Sequence, residues 1–137
     1  MTPEVQAFAS GFPLTLIHAG VTLVMLVLGA TVYAFLTPYK EVQLIREGNA
    51  AAAISYGGVI IGLAAPLAVS LSASPSVLEI VIWGLATTAV QLLVFRITDL
   101  FLAGLPARIQ EGETAAAALL TAARLASALI LAAAVAA

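Results

Sequence analysis

Long apolar segments of this sequence are interrupted by the charged side chains of Arg96, Asp99 and Arg124. Arg124 follows the start of the last apolar segment by about ten residues, or roughly 15 Å along a helix. A charge that deep in a bilayer costs about 2.5–3.5 kcal/mol on insertion scales. Arg124 therefore has several alternative interpretations. It lines an anion or proton pathway, docks a partner through its charge, or forms a structural ion pair; otherwise its helix is shallow enough for the arginine to snorkel.

Arg96 and Asp99 are three residues apart, so both lie on one face of a helix. In one interpretation they form an ion pair at the membrane interface, within snorkelling reach of water. In the other, Asp99 receives Arg124 from a neighbouring helix. That pairing requires a tilt or a kink, because the two residues differ in depth by more than one helical turn.

His18 and Glu79 fall near the same ends of the first and third apolar segments. They could meet as a proton-sensing pair, because histidine titrates near physiological pH. The alternative is that each is solvated at the membrane interface. Metal binding would need more ligands than these two, and the chain has no cysteine. We predict no metal site and no cofactor.

Gln91 belongs to a polar stripe on the third apolar segment, together with Gly84, Thr88 and Asp99. Such a stripe lines a cavity or supplies hydrogen bonds between helices, which are worth about 0.6 kcal/mol each on average.

The second apolar segment carries a G-x-x-x-G pattern at Gly58 and Gly62, with Ser55 and Pro66 on the same face. Small residues let helix backbones approach closely, and a proline inside a helix predicts a kink. We assign this face to helix packing.

Composition identifies the surroundings of these residues. The chain is 63% hydrophobic and 9% charged, with mean hydropathy +1.15, whereas a soluble domain carries about 25% charged residues. Most of its surface must therefore face the lipid bilayer. Five scattered basic residues cannot form the clustered face that nucleic acid requires. The sequence also has no Ser-His-Asp set at plausible depth, no phosphate loop and no H-E-x-x-H, so we predict no enzyme.

A helix needs about 20 apolar residues to span the hydrocarbon core. Four segments qualify, so we predict an all-α polytopic protein with a single membrane domain over residues 1–137. The predicted spans are 12–36, 50–71, 77–105 and 114–137.

The first and third connections carry the loop charges. Thr37-Pro38 should end the first helix, residues 39–47 should form a short amphipathic helix, Gly48 should adopt a left-handed turn, and Asn49 should cap the next helix. Basic loops favour the cytoplasm, so we predict both termini on the periplasmic or exterior side. The candidate cytoplasmic docking residues are Lys40, Glu41, Arg46, Glu47, Arg108, Glu111 and Glu113.

The first connection is repeated in the second half of the chain. "IREGNAAAA" from residue 45 returns as "IQEGETAAAA" from residue 109, an offset of 64. We predict duplication of a two-helix hairpin, with copies at about 12–73 and 76–137, which gives a pseudo-twofold four-helix bundle. The alternative is that each connection independently needs a glycine turn. The offset aligns Arg124 with Ile60, so the repeat does not account for this arginine.

The segments "TPYKEVQLIREGNAAAAIS", "GLAAPLA", "WGLATTAVQLLVF" and "LPARIQEGETAAA" resemble the bacterial inner-membrane family known as domain of unknown function 350. The resemblance implies four spans, an internal duplication and no established activity. Members tend to be encoded near phage-shock-protein-A-like membrane-remodelling proteins, which implies a setting in envelope maintenance and a peripheral partner of that kind.

Two hypotheses for function follow. The first is a structural or interaction component for envelope maintenance or membrane stress, which docks a cytoplasmic peripheral protein through the two connections. The alternative is a small channel or transporter with a polar path past Arg124 and Gln91. Assembly into a homo-oligomer is compatible with both.

Overall fold

The protein is a bundle of four long helices joined by two short helical connections and one tight turn. The structure, a computed structural model, describes residues 2–37 and 39–137. Pro38, which the sequence interpretation places at the end of the first span, lies outside the described residues. The helices are α1 (Pro3–Leu36), α2 (Glu41–Arg46), α3 (Ala50–Ala73), α4 (Val77–Phe101), α5 (Gly104–Gln110) and α6 (Thr114–Ala136).

The predicted four spans are confirmed, because α1, α3, α4 and α6 are all long and apolar enough to cross a membrane. The first long helix begins nine residues before residue 12, where the predicted span starts. The hydroxyl of Thr2 accepts from the Val5 N–H at 3.3 Å and Pro3 fits the first turn, so α1 begins at Pro3. Its 34 residues give a length of about 51 Å, which exceeds the hydrocarbon core of about 30 Å.

The predicted end of the third span at residue 105 is wrong. The α4 helix stops at Phe101, and Leu102 leaves the helical conformation with φ −109° and ψ 43°. The chain then starts α5, in which Pro106 occupies the first turn, where a proline needs no hydrogen-bond partner.

Each connection ends as the sequence predicts. Gly48 and Gly112 have φ of +89° and +88°, a conformation that glycine adopts at little cost.

We call the end of the bundle that carries α2 and α5 the connection side, and the other end, where residues 74–76 join α3 to α4, the turn side. The order of long, short and long helix occurs twice, and the pseudo-twofold relation itself stays a prediction.

The α3 and α6 helices form the pair with the most extensive contact in the bundle. A Cβ atom on Gly58 would lie 2.8 Å from the Thr121 methyl group, and one on Gly62 would lie 2.6 Å from the Phe95 ring. These two glycines are therefore needed for close packing. Pro66 is buried on the same helix.

Within the described residues, the apolar core forms three groups along the bundle. At the turn side, one group contains Met25, Leu67 and Ile80. Halfway along, Tyr33, Val59, Leu63 and Phe95 pack together with Ala30. At the connection side, the third group consists of Ala51, Ala52, Leu105, Ile109, Ala116, Ala117 and Leu120. Polar side chains are buried along the whole bundle, from Ser70 and Thr87 to Asp99, and the candidate site includes Tyr33 of the halfway group.

Candidate functional site

Arg124 lies at the centre of a buried polar cluster. Its side chain is 0% exposed. One terminal nitrogen, Nη1, donates to the Ser55 carbonyl and hydroxyl oxygens, both at 2.7 Å. The other, Nη2, donates to Asp99 Oδ1 at 2.9 Å and also contacts the Tyr33 hydroxyl. We call Tyr33, Ser55, Asp99 and Arg124 the Arg124 cluster, and each of its members comes from a different spanning helix.

Tyr33 connects the carboxylate of Asp99 to the guanidinium of Arg124. Its hydroxyl donates to Asp99 Oδ2 at 2.6 Å while it accepts from Arg124. The guanidinium carbon lies 5.2 Å from the centre of the Tyr33 ring and 5.9 Å from that of Phe95, within the range of cation–π attraction. The positive charge is therefore compensated by one carboxylate, two hydroxyls, a carbonyl and two rings.

The structure contains both contacts that the sequence left as alternatives for Asp99. Arg96 Nη1 lies 3.9 Å from Asp99 Oδ2, and its side chain is 33% exposed. The Asp99–Arg124 contact is shorter and fully buried. Removal of one partner of such a buried pair is strongly destabilising, because it leaves an uncompensated charge.

The prediction for Glu41 is wrong. The sequence interpretation assigned this residue to an exposed docking loop. It is 2% exposed, and neither of its carboxyl oxygens has a hydrogen-bond partner among the described residues. The pKa of Glu41 is raised to about 7, chiefly because burial disfavours the charged form. The positive charge of Arg124 opposes this rise, and the negative charge of Asp99 adds to it. Burial also raises the pKa of the adjacent Tyr39 to about 12, so this hydroxyl remains a donor.

A cleft of about 830 Å³ opens beside Glu41 on the connection side. We call it the α1–α2 cleft, after the two helices that contribute most of its wall. Its lining residues are Thr31, Ala34, Phe35, Thr37, Tyr39, Lys40, Glu41, Val42, Gln43, Arg46 and Tyr56.

The polar stripe of α4 faces the interior. Gly84 and Gln91 are buried on it together with Asp99 and Thr87, and Thr88 is half-buried with its hydroxyl oxygen shielded from solvent. Gln91 Nε2 donates to the Ser127 hydroxyl at 3.3 Å, and that hydroxyl donates to the Arg124 carbonyl at 2.8 Å. The stripe therefore extends the Arg124 cluster towards the turn side.

His18 and Glu79 are not brought together. His18 is half-buried on α1 and Glu79 is exposed at the start of α4. No hydrogen bond or salt bridge joins them within the described part of the chain. Nor do residues 2–37 and 39–137 hold any group of three or more metal-ligating His, Asp or Glu side chains.

The two connections are tied to each other by Asn49. Its side-chain oxygen accepts from the Ala52 N–H at 3.0 Å and so caps α3, while its nitrogen donates to the carbonyls of Ile109 and Gln110 at 3.1 and 3.2 Å.

On the second connection, Arg108 Nε lies 2.5 Å from Glu113 Oε2. The predicted docking residues that are exposed there are Lys40, Arg46, Glu47, Arg108 and Glu111, with Glu113 half-buried.

Sequence reasoning missed Tyr33, and it assigned Ser55 to helix packing rather than to a polar site. Tyrosine and serine are ordinary residues in spanning helices, so neither type gives a signal. It also missed that Glu41 is buried, although the 64-residue offset aligns Glu41 with the apolar Leu105. That alignment is the one signal that could have revealed it.

These observations define an all-α, four-span membrane protein with an ionic cluster inside its bundle. The chain belongs to the family described as Domain of Unknown Function (DUF350), whose model matches residues 7–135. It is 33% identical over 97 residues to UPF0719 inner membrane protein YjfL of Escherichia coli (strain K12), an alignment that covers 71% of this chain and 72% of the relative.

A second relative is UPF0719 transmembrane protein YshE of Bacillus subtilis (strain 168), 37% identical over 67 residues, with 49% of this chain and 50% of the relative covered. No solved structure matches significantly. The family, these relatives and the four apolar helices identify the chain as a multi-pass inner-membrane protein.

Proposed function

We propose that this protein is a structural and interaction component of the bacterial inner membrane that serves envelope maintenance by docking a peripheral protein. The observation that carries the proposal is the Asn49 bridge. Because one side chain caps α3 and bonds the carbonyls of Ile109 and Gln110, the two connections are held as a single surface.

The composition of that surface supports a protein partner. A cleft of about 270 Å³ lies between the connections, and charges of both signs surround it. Its lining residues are Tyr39, Lys40, Gln43, Leu44, Glu47 and Gln110. Mixed charges around a cleft favour a specific, oriented partner over a purely anionic surface. The family resemblance suggests a phage-shock-protein-A-like partner.

Arg124 supports an architectural role for the bundle itself. Its terminal nitrogens are held by Ser55, Tyr33 and Asp99, all within the protein. A fixed, buried guanidinium also opposes the passage of cations and protons. The cluster therefore fastens four helices behind the docking surface.

Photo-crosslinking tests the docking surface. A photoreactive amino acid at Gln43 or Gln110 should form one discrete adduct with a peripheral membrane protein in intact cells, and Lys40→Glu with Arg46→Glu should abolish it. The matched control is the same probe at Leu85, which is exposed on the apolar face of α4. Adducts that are identical from Leu85 and from the connections would contradict the proposal.

The proposal also places the connection side in the cytoplasm, because Lys40, Arg46 and Arg108 all lie there. A phosphatase that works only in the periplasm should be active when fused after Ala137. A fluorescent reporter that works only in the cytoplasm should be dark at the same position, and the reverse pattern would overturn the orientation.

A second candidate is transport, and one observation favours it. Buried oxygens of Ser70, Thr88 and Gln91 have no hydrogen-bond partner among the described residues, and they run from the turn side towards Arg124. Ser70 also lines a polar cleft of about 210 Å³ at the turn side. On this account, purified protein should conduct ions in liposomes, and Arg124→Leu should abolish that flux in a folded protein. Absence of flux in the wild type would remove this candidate.

A further inference from the structure

Glu41 occupies a position whose counterpart is apolar. The 64-residue offset aligns it with Leu105, and both side chains are buried, Glu41 at 2% and Leu105 at 9% exposure. Both lie in short helices, α2 and α5, against the connection side of the bundle. Both connections therefore bury the side chain at this position, and only the first carries a carboxyl there.

The Glu41 carboxyl is buried without hydrogen bonds. Neither oxygen has a partner among the described residues, and the same is true of the Tyr39 hydroxyl beside it. The hydroxyls of Tyr39 and Thr37 lie close enough to the carboxyl to lower its pKa. Neither reaches it with the geometry of a hydrogen bond, and the Thr37 hydroxyl donates to the Ala34 carbonyl at 3.1 Å. An ionised carboxylate in such a site is far costlier to bury than the neutral acid.

The balance of buried charges also favours the protonated form of Glu41. Arg124 is the one buried cation in the described part of the chain, and it is already paired with Asp99. With Glu41 protonated the buried charges cancel, whereas an ionised Glu41 leaves one net negative charge in the interior. The titratable groups that face Glu41 from the spanning helices are Tyr33, Tyr56, Asp99 and Arg124, and those of its own segment are Tyr39, Lys40 and Arg46.

We propose that the Glu41 carboxyl is a proton-binding site that controls the docking of α2: the protonated acid holds α2 against the Arg124 cluster, and the ionised carboxylate releases it. The α1–α2 cleft, which Glu41 helps to line, gives the proton its route from the connection side. A released α2 would move Lys40 and Arg46 with it, so proton binding would remodel the basic part of the surface. This inference stands whether or not a partner protein docks there.

The direction and size of the effect follow from linkage. The docked state holds the Glu41 proton up to a pKa of about 7, whereas the released side chain gives it up near the ordinary value of 4.5. The docked state therefore loses relative stability as pH rises from 4.5 to about 7 and changes little above that. Between pH 5.5 and 8 the equilibrium constant for release should rise about 30-fold.

Hydrogen exchange of the full chain in lipid nanodiscs tests this, with α5 as an internal control. After correction for the intrinsic pH dependence of exchange, protection of residues 41–47 should fall about 30-fold between pH 5.5 and 8. Protection of residues 105–111, where Leu105 cannot titrate, should stay constant. A parallel change in both segments would overturn the proposal.

Two variants isolate the carboxyl. Glu41→Gln is neutral at every pH and should keep α2 protected at pH 8, and Glu47→Gln, an exposed change beside α2, should retain the wild-type response. If Glu41→Gln still lost α2 protection about 30-fold, the proposal would be wrong. If Glu41→Gln does not fold, Glu41→Leu takes its place, because leucine is the residue that the second connection buries there.

Discussion

The two connections of this protein follow one plan and differ in one buried residue. Each has a short helix, a glycine with positive φ and then a spanning helix, with Gly48 at +89° and Gly112 at +88°. The first connection buries Glu41 where the second buries Leu105. The comparison shows that both connections bury the side chain at the position aligned by the 64-residue offset, and that only the first connection carries a carboxyl there.

A second difference concerns how each connection starts its spanning helix. Asn49 caps α3 with its side chain and reaches across to the second connection. Glu113 makes no capping hydrogen bond to α6 and pairs with Arg108 of its own connection. The link between the connections therefore depends on the first of them.

The largest effect is expected when the second connection is made to resemble the first. Leu105→Glu should lower the free energy of unfolding by about 3–5 kcal/mol, because it removes buried apolar contacts and buries an acid near no free cation. The measurement is reversible unfolding in mixed micelles. Ala107→Glu, on the exposed face of the same helix, is the matched control, and an equal loss in both variants would break the comparison.

The reverse exchange should have the opposite sign. Glu41→Leu should raise the free energy of unfolding at pH 8 by about 1–3 kcal/mol, because the wild-type chain must there either bury an ionised carboxylate or release α2, and leucine requires neither. The gain should shrink at pH 5.5, where the wild-type carboxyl is protonated. A loss of stability at pH 8 would show that Glu41 has a stabilising partner.

The smallest effect on the free energy of unfolding is expected at the two residues that precede α3 and α6. Asn49→Ala should cost about 1–2 kcal/mol, because α3 loses its cap and the bridge to Ile109 and Gln110 is broken. Glu113→Ala should leave unfolding unchanged within error, because the Arg108–Glu113 pair is exposed to solvent. Equal losses from the two substitutions would contradict the assignment of the bridge to Asn49.

Most of the fold could be predicted from the sequence. Hydropathy reveals four spans because the hydrocarbon core imposes a length on each helix, and Gly48 and Gly112 identify the turns because other residues avoid positive φ. Two helix bounds differ from the predicted spans: α1 begins earlier, at Pro3, and α4 ends earlier, at Phe101. The apolar character of the chain continues past Phe101, so composition cannot show where the backbone turns.

Less of the candidate site could be predicted. Arg124 stood out because of its depth, but its contacts with Tyr33 and Ser55 depend on the rotation and tilt of four helices, which no local pattern specifies. Glu41 was misjudged for a different reason. Its neighbours Lys40 and Arg46 are exposed, and a short charged segment is usually a solvated one.

The most direct test of the account is the protonation state of Glu41 itself. Carbon-13 NMR of glutamate carboxyls, recorded on the protein in nanodiscs, gives this state when the Glu41 signal is assigned by its loss in Glu41→Gln. We predict a titration midpoint of about 7 for this carboxyl. A carboxyl that titrates at the ordinary value of 4.5 would contradict both its burial without a partner and its role in holding α2.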